Sequence, residues 1–203
     1  MIAILTGDII NSRKAPAGSW LKTLKKQLTQ IGNTPSKWEI YKGDYFQVEI
    51  TNLPDALITA IKIKAALKKI SGVDVRMAIG IGEKEYSAKR ISESNGSAFI
   101  FSGETFETLK KEKINIAIKS SWIKFDKEIN LYLRLGLIIM DNWSINSAEI
   151  VSIALENSSL SQEELGKKIG IKQNAVSSRL KRARYDELKE INEMYKIKLQ
   201  EFI

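Results

Sequence analysis

The sequence predicts an α+β protein, a ferredoxin-like sheet with helices that is followed by an all-α helix-turn-helix module. Three observations indicate this organisation: β-type apolar runs alternate with amphipathic helical segments as far as residue 118, the pattern from residue 129 onward is helical, and a glycine near residue 170 separates two short helices. The predicted division is an α+β domain over 1–125, a helical connector over 126–145 and the helix-turn-helix domain over 146–203.

The first elements follow from short-range patterns. Residues 2–6 form a continuous apolar run, which is typical of a strand buried on both faces. A helix is predicted from Pro16 to Gly32, because proline suits a first helical turn and glycine a helix end. Trp38–Tyr41 and Tyr45–Ile50 flank a turn that contains glycine and aspartate, so they predict a β-hairpin.

The middle of the chain continues the alternation. A second helix is predicted over 54–70, a strand over 73–81, a third helix over 97–110 and a further strand over 114–118. The order β-α-β-β-α-β-α-β is that of a ferredoxin-like sheet with helices on one face.

Beyond residue 129 every periodic segment is helical. Leu131, Leu135 and Ile138 form one apolar stripe, 147–155 a second helix, and 184–202 a final amphipathic helix.

Between these helices lies the most informative segment of the chain. Leu165 and Ile169 lie one turn apart on a first helix, and Gly170 supplies a sharp exit before a second helix. The spacing resembles the helix-turn-helix of small phage repressors and sigma-factor-like regulators, with an ordinary helical hairpin as the alternative. The residues predicted to contact DNA are Lys172, Gln173, Asn174, Ser177, Ser178, Arg179, Lys181 and Arg182.

The charge distribution favours DNA as the partner. Between Ser161 and Tyr185 there are seven basic and two acidic residues, so this segment contributes +5 of the net +8. Such a local excess is typical of phosphate binding and predicts strong dependence on salt. A basic helix can also be solvated without binding anything, so the charge supports the motif rather than replacing it.

The composition excludes several kinds of site. The chain has no cysteine and no histidine, which rules out disulfides, thiolate chemistry, the usual zinc ligands and an imidazole base. A metal would have to be a hard cation held by carboxylates, hence Mg²⁺ or Mn²⁺. The first residues lack the basic flank of a secretory signal and the apolar stretches are short, so we expect a cytoplasmic protein without membrane contact.

Two Gly-Asp pairs are candidates for such a metal site. Asp8 follows the first predicted strand, and Asp44 lies in the hairpin turn. In a ferredoxin-like sheet the two carboxylates are expected side by side, where a divalent cation carrying a triphosphate would neutralise them. Each aspartate alone is also explained as a turn residue.

The pairs also carry a family resemblance. Asp8-Ile9, Gly43-Asp44 and the strand over 75–82 resemble the palm of class III nucleotidyl cyclases, which implies that the two aspartates bind metal. Ile100 and Glu104 occupy the positions where that family has an asparagine and an arginine for the ribose and phosphate. Catalysis would then need Lys89 or Arg90 as a substitute, so the resemblance implies a cyclase-like shape without cyclase activity.

The layout of the whole chain resembles the SatD family. The resemblance is carried by the segments 6–13 and 130–135, by Trp143, and by the helix-turn-helix near the end of the chain. It implies an architecture more than an activity.

The leading hypothesis is therefore a DNA-binding protein of transcription-regulator type, whose N-terminal domain dimerises, senses a metal or nucleotide, or does both. The alternatives are a divalent-metal-dependent cyclase or other enzyme acting on nucleoside triphosphates, and a pure interaction protein. A homodimer is expected, because one helix-turn-helix contacts few base pairs. The stripe of Leu131, Leu135 and Ile138 is a candidate for its contact.

Overall fold

The computed structural model describes residues 1–203 and is an α+β structure with a five-stranded mixed sheet and eight helices. The strands are β1 (Ile2–Ile10), β2 (Trp38–Tyr41), β3 (Tyr45–Ile50), β4 (Asp74–Gly82) and β5 (Ile116–Lys119). The helices are α1 (Ala17–Thr29), α2 (Ala56–Lys68), α3 (Ser97–Glu112), α4 (Ile123–Met140), α5 (Ile145–Glu156), α6 (Gln162–Ile169), α7 (Gln173–Ala183) and α8 (Tyr185–Gln200). The predicted order of elements is confirmed.

β1 is the central strand of the sheet. The strand order is β2-β3-β1-β4-β5, with β1 antiparallel to both neighbours and β5 parallel to β4. β1 runs to Ile10, beyond the predicted end at Thr6, because both neighbours continue to pair with it. Asp8 therefore lies inside a strand rather than after it, opposite Tyr45 on one side and Arg76 on the other.

Helices cover both faces of the sheet, not one face as predicted. Leu5 of β1 belongs to the large core that also contains residues of α1 and α2, whereas Ile4 packs with Phe99 of α3 on the other face. Alternation along the strand accounts for this division. α3 comes so close to β4 that a Cβ on Gly80 would collide with the backbone of Ala98.

The core is continuous from the sheet to the C-terminal helices. One cluster of 41 buried residues includes sheet residues together with Leu165, Val176 and Tyr195, so it crosses the predicted boundaries near 125 and 146. The Tyr195 hydroxyl donates a hydrogen bond of 2.7 Å to the Leu53 carbonyl. The helical half is therefore attached to the sheet half by buried contacts.

α4, part of which was predicted to be a connector, belongs to this body. Its Asn130 side chain accepts from the Ile118 amide and donates to the Ile118 carbonyl, both at 2.8 Å. These bonds satisfy backbone groups on the edge strand β5 that a further strand would otherwise pair.

A buried ionic cluster joins α2, β4 and the end of α4. The fully buried Lys64 ammonium lies 2.7 Å from a carboxylate oxygen of Asp74 and 2.7 Å from one of Asp141. Lys68 adds a second contact to Asp74, at 3.0 Å.

None of the eight helices combines the length and apolar character needed to span a membrane.

Candidate functional site

The segment α6-turn-α7 has a tightly defined geometry. Ser161 and Glu164 form a capping box at the start of α6, and Gly170 ends that helix in the left-handed region with φ of 70°. A Cβ on Gly166 would lie 2.5 Å from the Ile171 carbonyl oxygen, so the turn packs directly on this glycine. The predicted helix-turn break is present at residues 170–172.

α7 is fixed to the body along one side. Val176 and Ala183 are fully buried, and the helix packs against α5. At its C-terminal end, the Trp143 indole N–H donates a 3.1 Å hydrogen bond to the Ala183 carbonyl, which has no partner within the helix. The opposite side of α7 is left to solvent.

The structure places the predicted DNA-contacting residues in two environments. The exposed ones are Lys172, Gln173, Asn174, Ser177, Ser178, Lys181 and Arg182. Arg179 differs, because its guanidinium is 18% exposed and donates a 2.8 Å bond to Glu149 of α5. Arg179 therefore joins two helices of the protein, and a contact between Arg179 and DNA stays a prediction.

Several basic residues near the turn have no acidic partner. Lys167 pairs with Glu163, and Arg184 pairs with Glu187. No ion pair forms at Lys168, Lys172, Lys181 or Arg182, whose charges all face solvent. The positive charge on this surface is therefore available to an external anion.

Asp8 lies in a different setting, on the face of the sheet that α3 covers. Its carboxylate is 15% exposed, and Arg76 Nη1 approaches one of its oxygens to 3.4 Å. Burial raises the pKa of Asp8, the charges of Arg76 and Lys110 oppose this, and Asp44 and Glu107 raise the pKa further. Asp8 is thus partly neutralised by cations of the protein itself.

Lys110 of α3 covers the site. Its ammonium donates a 2.7 Å hydrogen bond to the Tyr45 hydroxyl and lies 4.6 Å from the ring centroids of both Tyr45 and Phe106. Burial lowers the pKa of Lys110, but the Tyr45 hydrogen bond and the charges of Glu107 and Asp8 outweigh it and raise the pKa overall.

Asp44 neighbours Asp8 through the hairpin. The Asp44 carbonyl accepts from the Ile9 amide at 3.2 Å, and the Asp44 carboxylate accepts from the Ser12 hydroxyl at 2.6 Å. Because the charge of Asp44 raises the pKa of Asp8, the two carboxylates interact electrostatically.

The surroundings of Asp8 and Asp44 meet some of the requirements for binding a hard cation such as Mg²⁺ or Mn²⁺ and fail others. Asp8 Oδ1 is buried without a hydrogen-bond partner, which leaves one oxygen available as a ligand. Against this, no group of three or more acidic side chains converges in the molecule, and Arg76 and Lys110 bring positive charge to the same carboxylate. Metal binding by Asp8 and Asp44 stays a prediction.

Ile100 and Glu104, where the predicted cyclase resemblance would require an asparagine and an arginine, have other surroundings. Ile100 is 52% exposed on α3, and Glu104 pairs with Lys119 at 2.7 Å. Arg90, one of the candidate substitutes, forms an ion pair with the buried Glu39. Its guanidinium is therefore already engaged within the protein.

Sequence patterns did not identify Arg76, Lys110 or Trp143 as parts of these sites. Arg76 could have been found by alternation along β4 once its register with Asp8 was known. Nothing in the sequence connects Lys110 with Tyr45, or Trp143 with the end of α7, because these contacts span 65 and 40 residues.

Comparison with known proteins shows the family. No curated protein matches the chain. The model of the SatD family matches residues 1–194, which is nearly the whole chain. The chain therefore belongs to the SatD family.

Proposed function

We propose that this protein is a cytoplasmic DNA-binding protein of transcription-regulator type. In this proposal α6, the turn and α7 form a helix-turn-helix, and α7 is the recognition helix. The observation that carries the proposal is the exposed side of α7, which combines side chains for base edges with cations that have no partner. Lys172 lies at its start, and Lys181 and Arg182 lie near its end.

The spacing on α7 supports insertion into the major groove. Asn174, Ser178 and Lys181 recur at helical spacing, opposite the buried Val176 and Ala183. Asparagine can pair with adenine, serine can donate or accept, and lysine can contact phosphate or guanine. An α-helix with its side chains is about 10–12 Å in diameter, which suits a major groove that is about 12 Å wide, and the 11 residues of α7 extend about 16 Å along its axis.

The test is a fluorescence-anisotropy titration of duplex DNA at two salt concentrations. The full chain should be used, because α5 and α8 bury apolar surface against α2 and α4. We expect binding that weakens steeply as salt rises, with a log-log slope of several units, since each neutralised phosphate contributes about −0.9. No binding at low salt would refute the proposal.

For the sheet half we propose a ferredoxin-like, cyclase-palm-like domain that senses a ligand and does not catalyse. The order β4-β1-β3-β2, all antiparallel, supports the resemblance, and Ile100 and Glu104 argue against cyclase chemistry. Mg²⁺ or Mn²⁺ at Asp8 and Asp44, or a nucleotide, are the candidate ligands. An enzyme acting on nucleoside triphosphates is the second candidate, favoured by the unpartnered Asp8 Oδ1.

We also propose that the protein works as a homodimer. Leu131, Leu135 and Ile138 are 46%, 55% and 67% exposed on one side of α4, so they form an apolar stripe without a partner in the monomer. Two copies related by a two-fold axis would place two recognition helices on a pseudo-palindrome. Light scattering that shows a monomer at high concentration would contradict this.

A further inference from the structure

A cleft of about 540 Å³ lies at the base of the sheet, where the sheet half meets the helical half. This basal cleft is lined from the sheet side by Asn11, Asp74, Arg76 and Lys113, and from the helical side by Trp143 and Ser144. Its volume is in the range of small-molecule sites. Asp8, Tyr45 and Lys110 do not line the cleft, but Arg76 lines it and also contacts Asp8.

Arg76 has hydrogen-bonding capacity that the protein does not use. Its contact with Asp8 is 3.4 Å long, whereas charge-assisted bonds are typically about 2.7–2.9 Å. Its Nε is buried and has no acceptor at all. A buried donor without an acceptor is costly, and because Arg76 also lines the cleft, an oxyanion bound there would approach the same guanidinium.

The charge balance around the cleft favours an anion. Asp74, the acid in the lining, is already held by Lys64 at 2.7 Å and Lys68 at 3.0 Å. Lys113 forms no ion pair, and its backbone is in the left-handed region with φ of 56°. We count the charged residues that line the cleft together with their ion-pair partners. The positive ones are Lys64, Lys68, Arg76 and Lys113, and the negative ones are Asp8, Asp74 and Asp141. One positive charge remains uncompensated.

The helical wall connects the cleft to the end of α7. Trp143 lines the cleft and also donates its indole N–H to the Ala183 carbonyl at 3.1 Å. Ser144, the next residue, caps the start of α5 through the Ser147 amide. A ligand that fills the cleft would contact the segment that positions both helices.

We propose that the basal cleft binds a small phosphate-bearing anion, with the Arg76 guanidinium and the Lys113 ammonium on the phosphate and Trp143 against the rest of the ligand. The effect of this ligand on α7, transmitted through Trp143, rests on the proposed DNA-binding function. Binding itself does not.

Isothermal titration of the full chain with inorganic phosphate, AMP and adenosine tests the binding without DNA. We expect AMP to bind and adenosine not to bind, and inorganic phosphate distinguishes a free-phosphate site from one that also recognises the organic part. Arg76→Lys keeps the charge but loses the planar fork, so affinity should fall roughly tenfold or more. Lys113→Gln should weaken binding by about threefold.

The control is Lys111→Gln, which removes an equal charge from an exposed neighbour outside the cleft and should leave the affinity unchanged. Thermal melts check that each variant is folded. No AMP or phosphate binding with a Kd below about 1 mM would overturn the proposal, and so would equal binding of adenosine and AMP.

DNA titrations with and without AMP separate this proposal from the proposed function. Binding of AMP by a protein that fails to bind DNA would retain the cleft and reject the regulator. A protein that binds DNA but binds neither AMP nor inorganic phosphate would reject the cleft proposal and retain the regulator. A change in DNA affinity on adding AMP, absent in Arg76→Lys, is the result expected if both hold.

Discussion

The sheet half and the helical half of this protein differ in how far their charged side chains form ion pairs within the chain. Around the sheet, buried charges are paired within the chain: Glu49 with Lys37 and Lys84, and Lys64 with two aspartates. On the surface of α6 and α7, Lys168, Lys172, Lys181 and Arg182 have no partner. Charges that are paired internally hold the fold, whereas unpaired exposed charges remain available for another molecule.

Arg179 and Lys181 show the same difference in pairing, although both lie on α7. Arg179 is used to attach α7 to α5 through Glu149, and it lies beside the buried side of the helix. Lys181 is exposed and unpaired. A basic residue on a helix can therefore be proposed as a DNA contact only when it is known to lie on the exposed face of that helix.

The largest effect is expected in the sheet half, from Lys64→Ala. The substitution removes the cation between Asp74 and Asp141 and leaves two carboxylates in a buried cluster. We expect a loss of about 3–5 kcal/mol in the free energy of unfolding, measured by urea denaturation. The control Lys62→Ala, on the same helix without an ion pair, should change stability by less than about 0.5 kcal/mol. A Lys64→Ala loss below ~1 kcal/mol would mean that the cluster does not stabilise the fold.

A smaller effect is expected from Gly166→Ala in the helical half. The new Cβ would meet the Ile171 carbonyl oxygen at 2.5 Å, so the turn has to move, at a cost of roughly 1–3 kcal/mol. DNA affinity should fall with it, because the turn sets the angle of α7. Gly103→Ala in α3, which meets no atom within 4 Å, should instead stabilise by about 0.4–1 kcal/mol. Equal melting temperatures for the two variants would contradict the packing described for the turn.

A change in stability smaller than that of Lys64→Ala or Gly166→Ala is expected from Asp44→Asn. The variant removes the charge that raises the pKa of Asp8 and should stabilise the metal-free protein by ~1 kcal/mol at neutral pH. Because the pKa of Asp8 is raised in the folded protein, protonated Asp8 contributes stability to the fold. This contribution is lost as pH rises through the pKa of Asp8 in the folded state. The advantage of Asp44→Asn over the native chain should therefore grow with pH and vanish in acid.

The same variant tests the metal. If Asp8 and Asp44 bind Mg²⁺ or Mn²⁺, either ion should raise the melting temperature of the native chain and leave Asp44→Asn unchanged. Melting of the native chain that ignores both ions would remove the metal and the enzyme hypothesis together.

Local patterns predicted most elements, and tertiary contacts account for what they missed. The hairpin strands Trp38–Tyr41 and Tyr45–Ile50 begin and end where the sequence places them, because their turn chemistry is local. The full length of β1 and the place of Asp8 inside it depend on pairing with strands that lie far along the chain. The same holds for the second covered face of the sheet, which depends on how α3 packs.

The candidate sites were predictable to a similar degree. Spacing identified the exposed residues of α7, since a helix period relates them directly. It could not show that Glu149 engages Arg179, or that Arg76 and Lys110 neutralise Asp8, because those partners come from other elements. Residue types and spacing therefore located the surfaces, and packing decided which charges stay free.

The most direct test of the central claim compares two charge-matched variants of the full chain in the DNA titration. Lys181→Gln with Arg182→Gln removes two charges from α7, and Lys124→Gln with Lys127→Gln removes two exposed charges from α4. We predict that the α7 variant loses affinity at least tenfold and that its salt slope falls by about two units, while the α4 variant stays within about twofold of the native chain. Equal losses in both variants would show that DNA responds only to net charge, and would contradict a recognition role for α7.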